Sequence, residues 1–175
     1  MERSILIFII KNIKKGFTLV ELLVVVAILG VLAAVGIVAY SGFLGTSKAN
    51  CTKSQHANIY KFLQSEIIKC QMGTVTLNWL DNSGASNSWV CNPSTSSDDL
   101  VETIVTNAIQ HFKGSDYKMC FKTTDDMVVR GSSCPSDVDV GRMHINANKG
   151  DDRVDLYTRW EPAGNGCIKS SISLE

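Results

Sequence analysis

Between Leu22 and Ser47 the chain carries no charged side chain, and the run LLVVVAILGVLAAVGIVAY within it is almost wholly aliphatic. A helix needs roughly 20 predominantly apolar residues to cross the ~30 Å hydrocarbon core of a bilayer, so this stretch is long enough to span. A helix buried in a soluble core would show a polar face at the helical period, and none is visible here. The remainder of the 175 residues is charged, rich in Ser, Thr and Asn, and only sparsely apolar. The pattern implies one apolar stem followed by one modest polar domain.

The segment ahead of the apolar run is MERSILIFIIKNIKKG, with Arg3, Lys11, Lys14 and Lys15 against Glu2 alone. Basic residues flanking a span hold that flank in the cytoplasm, which places the rest of the chain on the far side. A secretory signal would carry its small-residue cleavage site after the apolar region, whereas Gly16 stands before it. Ile5 to Ile10 form a second apolar run, too short to span, and suited only to contact with a membrane surface.

Lys14-Lys15-Gly16-Phe17-Thr18-Leu19-Val20-Glu21, followed by the aliphatic run, resembles the type IV prepilin signature. The resemblance extends to Tyr40 and is shared by type IV pili, type II secretion pseudopilins and DNA-uptake filaments. It implies a membrane-bound prepilin peptidase that recognises Lys14, Lys15 and Gly16, cuts after Gly16 and methylates the new N-terminal Phe17. It further implies a single-pass protein of the bacterial inner membrane, cytoplasmic at its N-terminus and periplasmic in its head. An inner-membrane pilus or type II secretion platform then assembles it with other copies into an extracellular filament. The segments expected on this basis are a cleaved leader, 1–16, a hydrophobic helix serving as anchor and filament core, 17–46, and a disulfide-bearing head, 47–175.

Glu21 raises a physical problem independent of family. A charged side chain at the centre of a spanning helix costs roughly 2.5–3.5 kcal/mol on insertion scales, less near the interface. Cutting after Gly16 would create an α-amine at Phe17 about one helical turn away, and an amine and a carboxylate attract strongly in a low dielectric. The pair can form within one helix, or between the amine of an incoming subunit and Glu21 of its neighbour. The resemblance favours the second arrangement. Gly30, Gly36, Gly42 and Gly45 each cost about 0.8–1 kcal/mol relative to Ala in a helix interior, so they either loosen the helix or permit close helix packing. The family commonly has a proline where this chain has Val38.

Beyond Gly45 the composition changes. Ile59, Phe62, Leu63, Ile67 and Cys70 recur at helical spacing, so Ser47 to Gln71 reads as an amphipathic continuation, ended by Gly73. Asn82 to Ser97 reads as a loop with Trp79 and Trp89 at its edges. Asp99 with Glu102 suggests a capping box for a short helix over Leu100 to Phe112. YKMCFK and MVVR suggest a hairpin about Thr123 to Asp126. RMHINA and RVDLYTRW suggest another about Asn148 to Asp152, with Val154, Leu156 and Trp160 on one face. The fold class is therefore α+β: a long N-terminal helix packed by its second half on an antiparallel sheet, similar to a pilin head.

All six cysteines follow the apolar run, and an even count on the exported side reads as up to three disulfides. On a continuous helix Cys51 and Cys70 lie about 28 Å apart and cannot pair. The expected pairs are Cys70–Cys91, Cys120–Cys134 and Cys51–Cys167. No C-x-x-C or C-x-x-H pair supports a zinc site, and His56, His111 and His144 are scattered. Asp151, Asp152 and Asp155 with Asn146 and Asn148 lack the EF-hand spacing and read as a solvated turn rather than a calcium loop. No metal or cofactor is expected.

No nucleophile elbow, P-loop or metalloprotease motif is present in the sequence, so no enzyme activity is expected, which weighs against a membrane-anchored enzyme or receptor. The chain holds 17 Lys+Arg and 17 Asp+Glu, and loss of residues 1–16 would leave a net side-chain charge of −3. Neither balance suits a protein that binds nucleic acid through bulk charge. The function expected is a structural subunit of a type IV pilus or pilus-like filament; the alternatives are a type II secretion pseudopilin and a minor pilin or adhesin at a filament tip.

Overall fold

The structure, a computed structural model, describes residues 16–91, 96–122, 124–161 and 166–174. The leader residues Arg3, Lys11, Lys14 and Lys15, the run Ile5 to Ile10, and Thr123 therefore lie outside the described residues. The elements, in order, are α1 (Leu19–Gln71), β1 (Thr76–Leu80), β2 (Ser86–Val90), α2 (Ser97–Gly114), β3 (Val128–Arg130), β4 (Met143–Asn148), β5 (Arg153–Arg159) and β6 (Cys167–Ser173). The chain divides into two compact units, one ending at Phe43 and the other beginning at Leu44. The architecture is α+β, as the pattern of apolar residues implied.

In the first unit every described residue is exposed, aliphatic side chains included. Gly30 and Gly36 do not interrupt α1, nor do Gly42 and Gly45 beyond them. A Cβ at any of these glycines would meet nothing within 4 Å, so none is required by packing within the chain.

In the second unit, α1 buries Thr52, His56, Ile59, Leu63, Glu66, Ile67 and Cys70, a stripe at spacings of three and four. Its aliphatic members share one core with Val101, Ile104, Val105, Ala108 and Phe112 of α2 and with Met143, Ile145, Val154 and Leu156 of the sheet. Phe62, expected on this stripe, is half-buried at its edge and stacks on His111, with ring centroids 4.9 Å apart. The end of α1 is closed by Gly73 in the left-handed region, φ 89°. Its N–H reaches the carbonyl of Cys70 and that of Thr74 reaches Lys69, which satisfies two orphan carbonyls as a Schellman motif does.

The main sheet has the order β3-β4-β5-β6. β4, β5 and β6 are antiparallel neighbours, in registers that set Ile145 opposite Leu156 and Val154 opposite Ile172. The expected hairpin about Asn148 to Asp152 is present as β4 and β5. The one expected about Thr123 to Asp126 is not: a single antiparallel bridge, Lys118 to Asp126, joins its arms. MVVR instead supplies β3, which pairs parallel to β4 and makes the sheet mixed. Val128 is fully buried there, and the core takes this strand in preference to a local turn.

Two further expectations are corrected. The stretch Asn82 to Ser97 is not all loop, because Ser86–Val90 pairs with Thr76–Leu80 as a hairpin. Its turn is built by Asp81, whose Oδ1 accepts from the N–H groups of Ser83 and Ala85, with Gly84 at φ 82°. Helix α2 starts earlier than Leu100: Ser96 is its N-cap, accepting from the N–H of Asp99, while Glu102 lies in the helix and pairs with Arg130 at 2.8 Å.

The cysteines pair as Cys51–Cys120, Cys70–Cys91 and Cys134–Cys167, with Cα separations of 6.2, 5.7 and 6.2 Å. Cys70–Cys91 agrees with the sequence expectation, whereas Cys51–Cys167 and Cys120–Cys134 are replaced. The reason lies in two returns of the chain. After α2 the segment holding Cys120 runs beside α1, where Gln55 donates to the carbonyl of Lys118 at 2.8 Å. The loop after β3 is held to the far end of β5, where Arg159 pairs with Asp137 and donates to the carbonyl of Pro135. Arg159 faces Cys167 in the β5–β6 register, so Cys134 is the thiol within its reach.

Two buried polar side chains tie the helices to the strands. His56 places Nδ1 2.8 Å from the Thr158 hydroxyl and Nε2 2.8 Å from that of Ser170, bridging α1 to β5 and β6. Glu66 accepts from the Trp79 indole at 3.1 Å and pairs with Lys69. On α2, His111 Nδ1 accepts from the Leu80 N–H at 2.9 Å and anchors β1.

Burial lowers the pKa of His56, and burial also lowers that of His111, partly opposed there by the charge of Glu66. The unfolded chain thus binds these protons more readily than the folded one. Stability is complete above the ordinary histidine value of 6.5 and declines as pH falls below it. Thermal unfolding of the protein between pH 7.5 and pH 5 should show a falling midpoint, and His56→Gln should flatten that dependence. Peptide mapping without reduction should recover Cys51 linked to Cys120 and Cys134 linked to Cys167; recovery of Cys51 with Cys167 would contradict the fold.

Candidate assembly site

Gly16, Phe17 and Thr18 precede α1 in non-helical conformation, and Phe17 is 80% exposed. The first four N–H groups of a helix have no partner within it. Here Thr18 Oγ1 accepts from the N–H of Glu21 at 3.2 Å, while Glu21 Oε2 accepts from the Thr18 N–H at 2.8 Å. The Thr18 hydroxyl also donates to Oε2 at 2.7 Å. This reciprocal pair is a capping box. It turns the Glu21 carboxylate back toward the chain that leads into the helix, at the positive end of the helix dipole.

Of the residues expected in processing and assembly, Gly16, Phe17 and Glu21 stand within one short segment, whereas Lys14 and Lys15 lie outside the described residues. Thr18 was missed as a participant. Its signal was legible all the same, since Thr18-Leu19-Val20-Glu21 spells the T-x-x-E of a capping box directly before an apolar run. Apart from this carboxylate, the segment from Phe17 to Ser47 offers no charged side chain. Its chemistry is limited to one carboxylate, the hydroxyls and an apolar surface. Such a surface is suited to lipid or to other apolar helices.

The acidic turn between β4 and β5 has internal partners. Arg153 pairs with Asp151 at 2.7 Å and with Asp155 at 3.1 Å, and Asn148 donates to Asp151 at 3.0 Å. Burial works to raise the Asp155 pKa, but the hydrogen bond from Ser171 and the charges of Arg153 and Lys169 outweigh it and hold the carboxyl below its usual range. These carboxylates neutralise an arginine in the fold. Among the described residues no group of His, Cys, Asp and Glu side chains is arranged to hold a metal ion.

One helix among the described residues, Leu19–Gln71, is long and apolar enough to cross a membrane. No curated protein matches the chain, and no solved structure does. Residues 11–37 match the prokaryotic N-terminal methylation motif. The match contains Gly16, Phe17, Thr18 and Glu21 together with the beginning of the apolar helix. The chain thus carries the leader of type IV pilins and pseudopilins, followed by a long apolar N-terminal helix and an α+β head.

Proposed function

We propose that the protein is a structural subunit of a type IV pilus or pilus-like filament. The observation that carries this is the methylation motif at residues 11–37 leading directly into a helix whose apolar side chains from Leu19 to Leu44 are exposed on every side. A surface of that kind requires either lipid or other helices around it. In the scheme proposed, residues 1–16 are removed by prepilin peptidase after Gly16, Phe17 is methylated, residues 17–46 anchor the subunit and later enter the filament core, and residues 47–175 form the head. The N-terminus faces the cytoplasm and the head the periplasm until an inner-membrane platform extracts the subunit.

Extraction exchanges one apolar environment for another, so its cost falls on Glu21. Within the subunit this carboxylate is already hydrogen-bonded by Thr18. The methylated amine of an incoming Phe17 would add an opposite charge where the helix offers only dipoles, and charge-assisted hydrogen bonds are roughly twice as strong as neutral ones. A type II secretion pseudopilin or a minor pilin at a tip would use the same start. A deletion strain distinguishes them: loss of surface filaments supports the pilus, and a secretion defect with filaments intact supports the pseudopilin.

Electron microscopy of sheared surface filaments, with N-terminal mass spectrometry, tests the proposal; mature subunits should begin at methylated Phe17. Gly16→Leu should leave only uncut precursor in the membrane, and a band of mature size would refute cleavage at this position. Glu21→Gln keeps a side chain able to complete the capping box but removes its charge. It should be cleaved normally and assemble poorly, while filaments in normal yield would reduce Glu21 to a helix cap.

A further inference from the structure

Where α1 enters the second unit it borders a cleft of about 410 Å³, lined by Gly45, Ala49 and Lys53 of the helix together with Phe121, Trp160 and Glu161. Lys53 Nζ lies 3.4 Å from the centroid of the Trp160 ring, and Lys48 Nζ lies 5.8 Å from that of Phe121. Among the described residues neither lysine is paired with a carboxylate. On the Phe121 side, Lys122, Asp125, Arg142 and Asp139 form a chain of ion pairs that cancels, as does Arg159 with Asp137 on the Trp160 side. Lys118, whose carbonyl meets Gln55, adds an exposed cation further along the helix. The rim therefore keeps two lysines against the one exposed carboxylate of Glu161.

The place of the cleft along the chain selects its occupant. The uncharged run from Leu22 to Ser47 leads into it, and Tyr40 and Phe43, both exposed, stand near the end of that run. A carboxylate is least costly at a membrane face. With Glu21 at the cytoplasmic face, a ~30 Å hydrocarbon core takes about 20 residues of helix and ends near Ser41, and a headgroup layer of ~5–7 Å takes about four more. Gly45 and Thr46, which line the cleft, therefore fall at headgroup level, and Lys48 follows within one turn. Side chains on a helix lean toward its N-terminus, so Lys48 and Lys53 reach back in the direction of that layer. Aromatic rings beside lysines, just outside an apolar span, are the side chains suited to this zone.

We propose that this cleft seats on the phosphate headgroups of the leaflet from which the stem emerges, Lys48 and Lys53 meeting the phosphates while Trp160 and Phe121 supply the apolar flank. The contact rests on the membrane anchoring proposed above and deepens it, since it names the lipid chemistry that the head recognises before extraction. A second copy presenting the same face would oppose lysine to lysine, whereas a headgroup layer offers anions at whatever spacing the lysines need. Extraction into a filament then has to break these contacts as well as move the stem.

The test uses the full-length chain, labelled with 5-fluorotryptophan, in nanodiscs of phosphatidylethanolamine and phosphatidylglycerol that carry a lipid with a gadolinium-chelating headgroup. The fluorine resonance of Trp160, identified by Trp160→Phe, should broaden roughly tenfold more than those of Trp79 and Trp89, whose rings gather beside Phe62, ~25 Å further along α1 than Gly45. Equal broadening of all three, or none at Trp160, in discs that hold the inserted chain would overturn the contact and leave the anchor standing. Lys48→Glu combined with Lys53→Glu should reduce the Trp160 broadening about threefold without moving the Trp79 resonance, and unchanged broadening would count against the lysines. Millimolar inorganic phosphate added to the chain in neutral detergent should leave Trp160 unmoved; a shift there would assign the cleft to free phosphate instead. If the chain does not float with vesicles of the same lipids, the anchoring itself fails and the contact falls with it.

Discussion

The head depends on one helix, α1, whose apolar side chains are exposed in its first stretch and gathered into a buried stripe in its second. A backbone in hydrocarbon has to satisfy its own hydrogen bonds, and a helix does so at each residue. From Leu19 to Leu44 the side chains add little besides aliphatic surface, and all of it is exposed. From Thr52 onward the same helix carries a narrow stripe that is buried and an opposite face that is polar. Gly45 lies between the two stretches without ending α1.

In the head, the stripe does more than fill volume. Ile59, Leu63 and Ile67 supply apolar area to the core, at about 1.5–3 kcal/mol for each fully buried side chain. His56 and Glu66 contribute position rather than area. A histidine with a hydroxyl on each nitrogen specifies which strands lie under the helix, and an indole on a buried carboxylate specifies where the hairpin docks. An unpaired polar group would be costly at these depths, so registers that left either one without its partners are disfavoured. The disulfides then close loops between cysteines at sequence separations of 69, 21 and 33. Each restricts the unfolded chain more than the folded one.

At the other end of the helix, Thr18 and Glu21 hold one carboxylate at the helix start. The capping box satisfies N–H groups that would be unpaired in any helix start. The same geometry holds the carboxylate close to Phe17, where cleavage after Gly16 would generate a positive charge. A side chain already oriented by its own helix needs less ordering when a charged partner arrives.

The long apolar helix, the methylation motif, the α+β class and the end of α1 at Gly73 were all legible in the sequence. Each depends on a local pattern: an uncharged aliphatic run, a change from helical to alternating period, a short motif, a glycine beyond the last apolar position. What was not legible depends on where distant segments return. MVVR has the composition of a hairpin arm, yet β3 pairs parallel to β4 because the core receives Val128 there. Trp89 lies in a stretch rich in Ser and Asn, and only its pairing opposite Leu77 makes that stretch a strand. Cys51 and Cys134 have partners decided by the paths of the chain beside α1 and Arg159, which no spacing between cysteines encodes. The sequence by itself therefore determined the membrane-competent stem, its processing motif and the class of the head, since neighbouring residues act there on one another and on solvent. The tertiary structure alone decided strand order, disulfide pairing and the buried partners of His56 and Glu66, since those choices follow from the packing of surfaces that are remote in the chain.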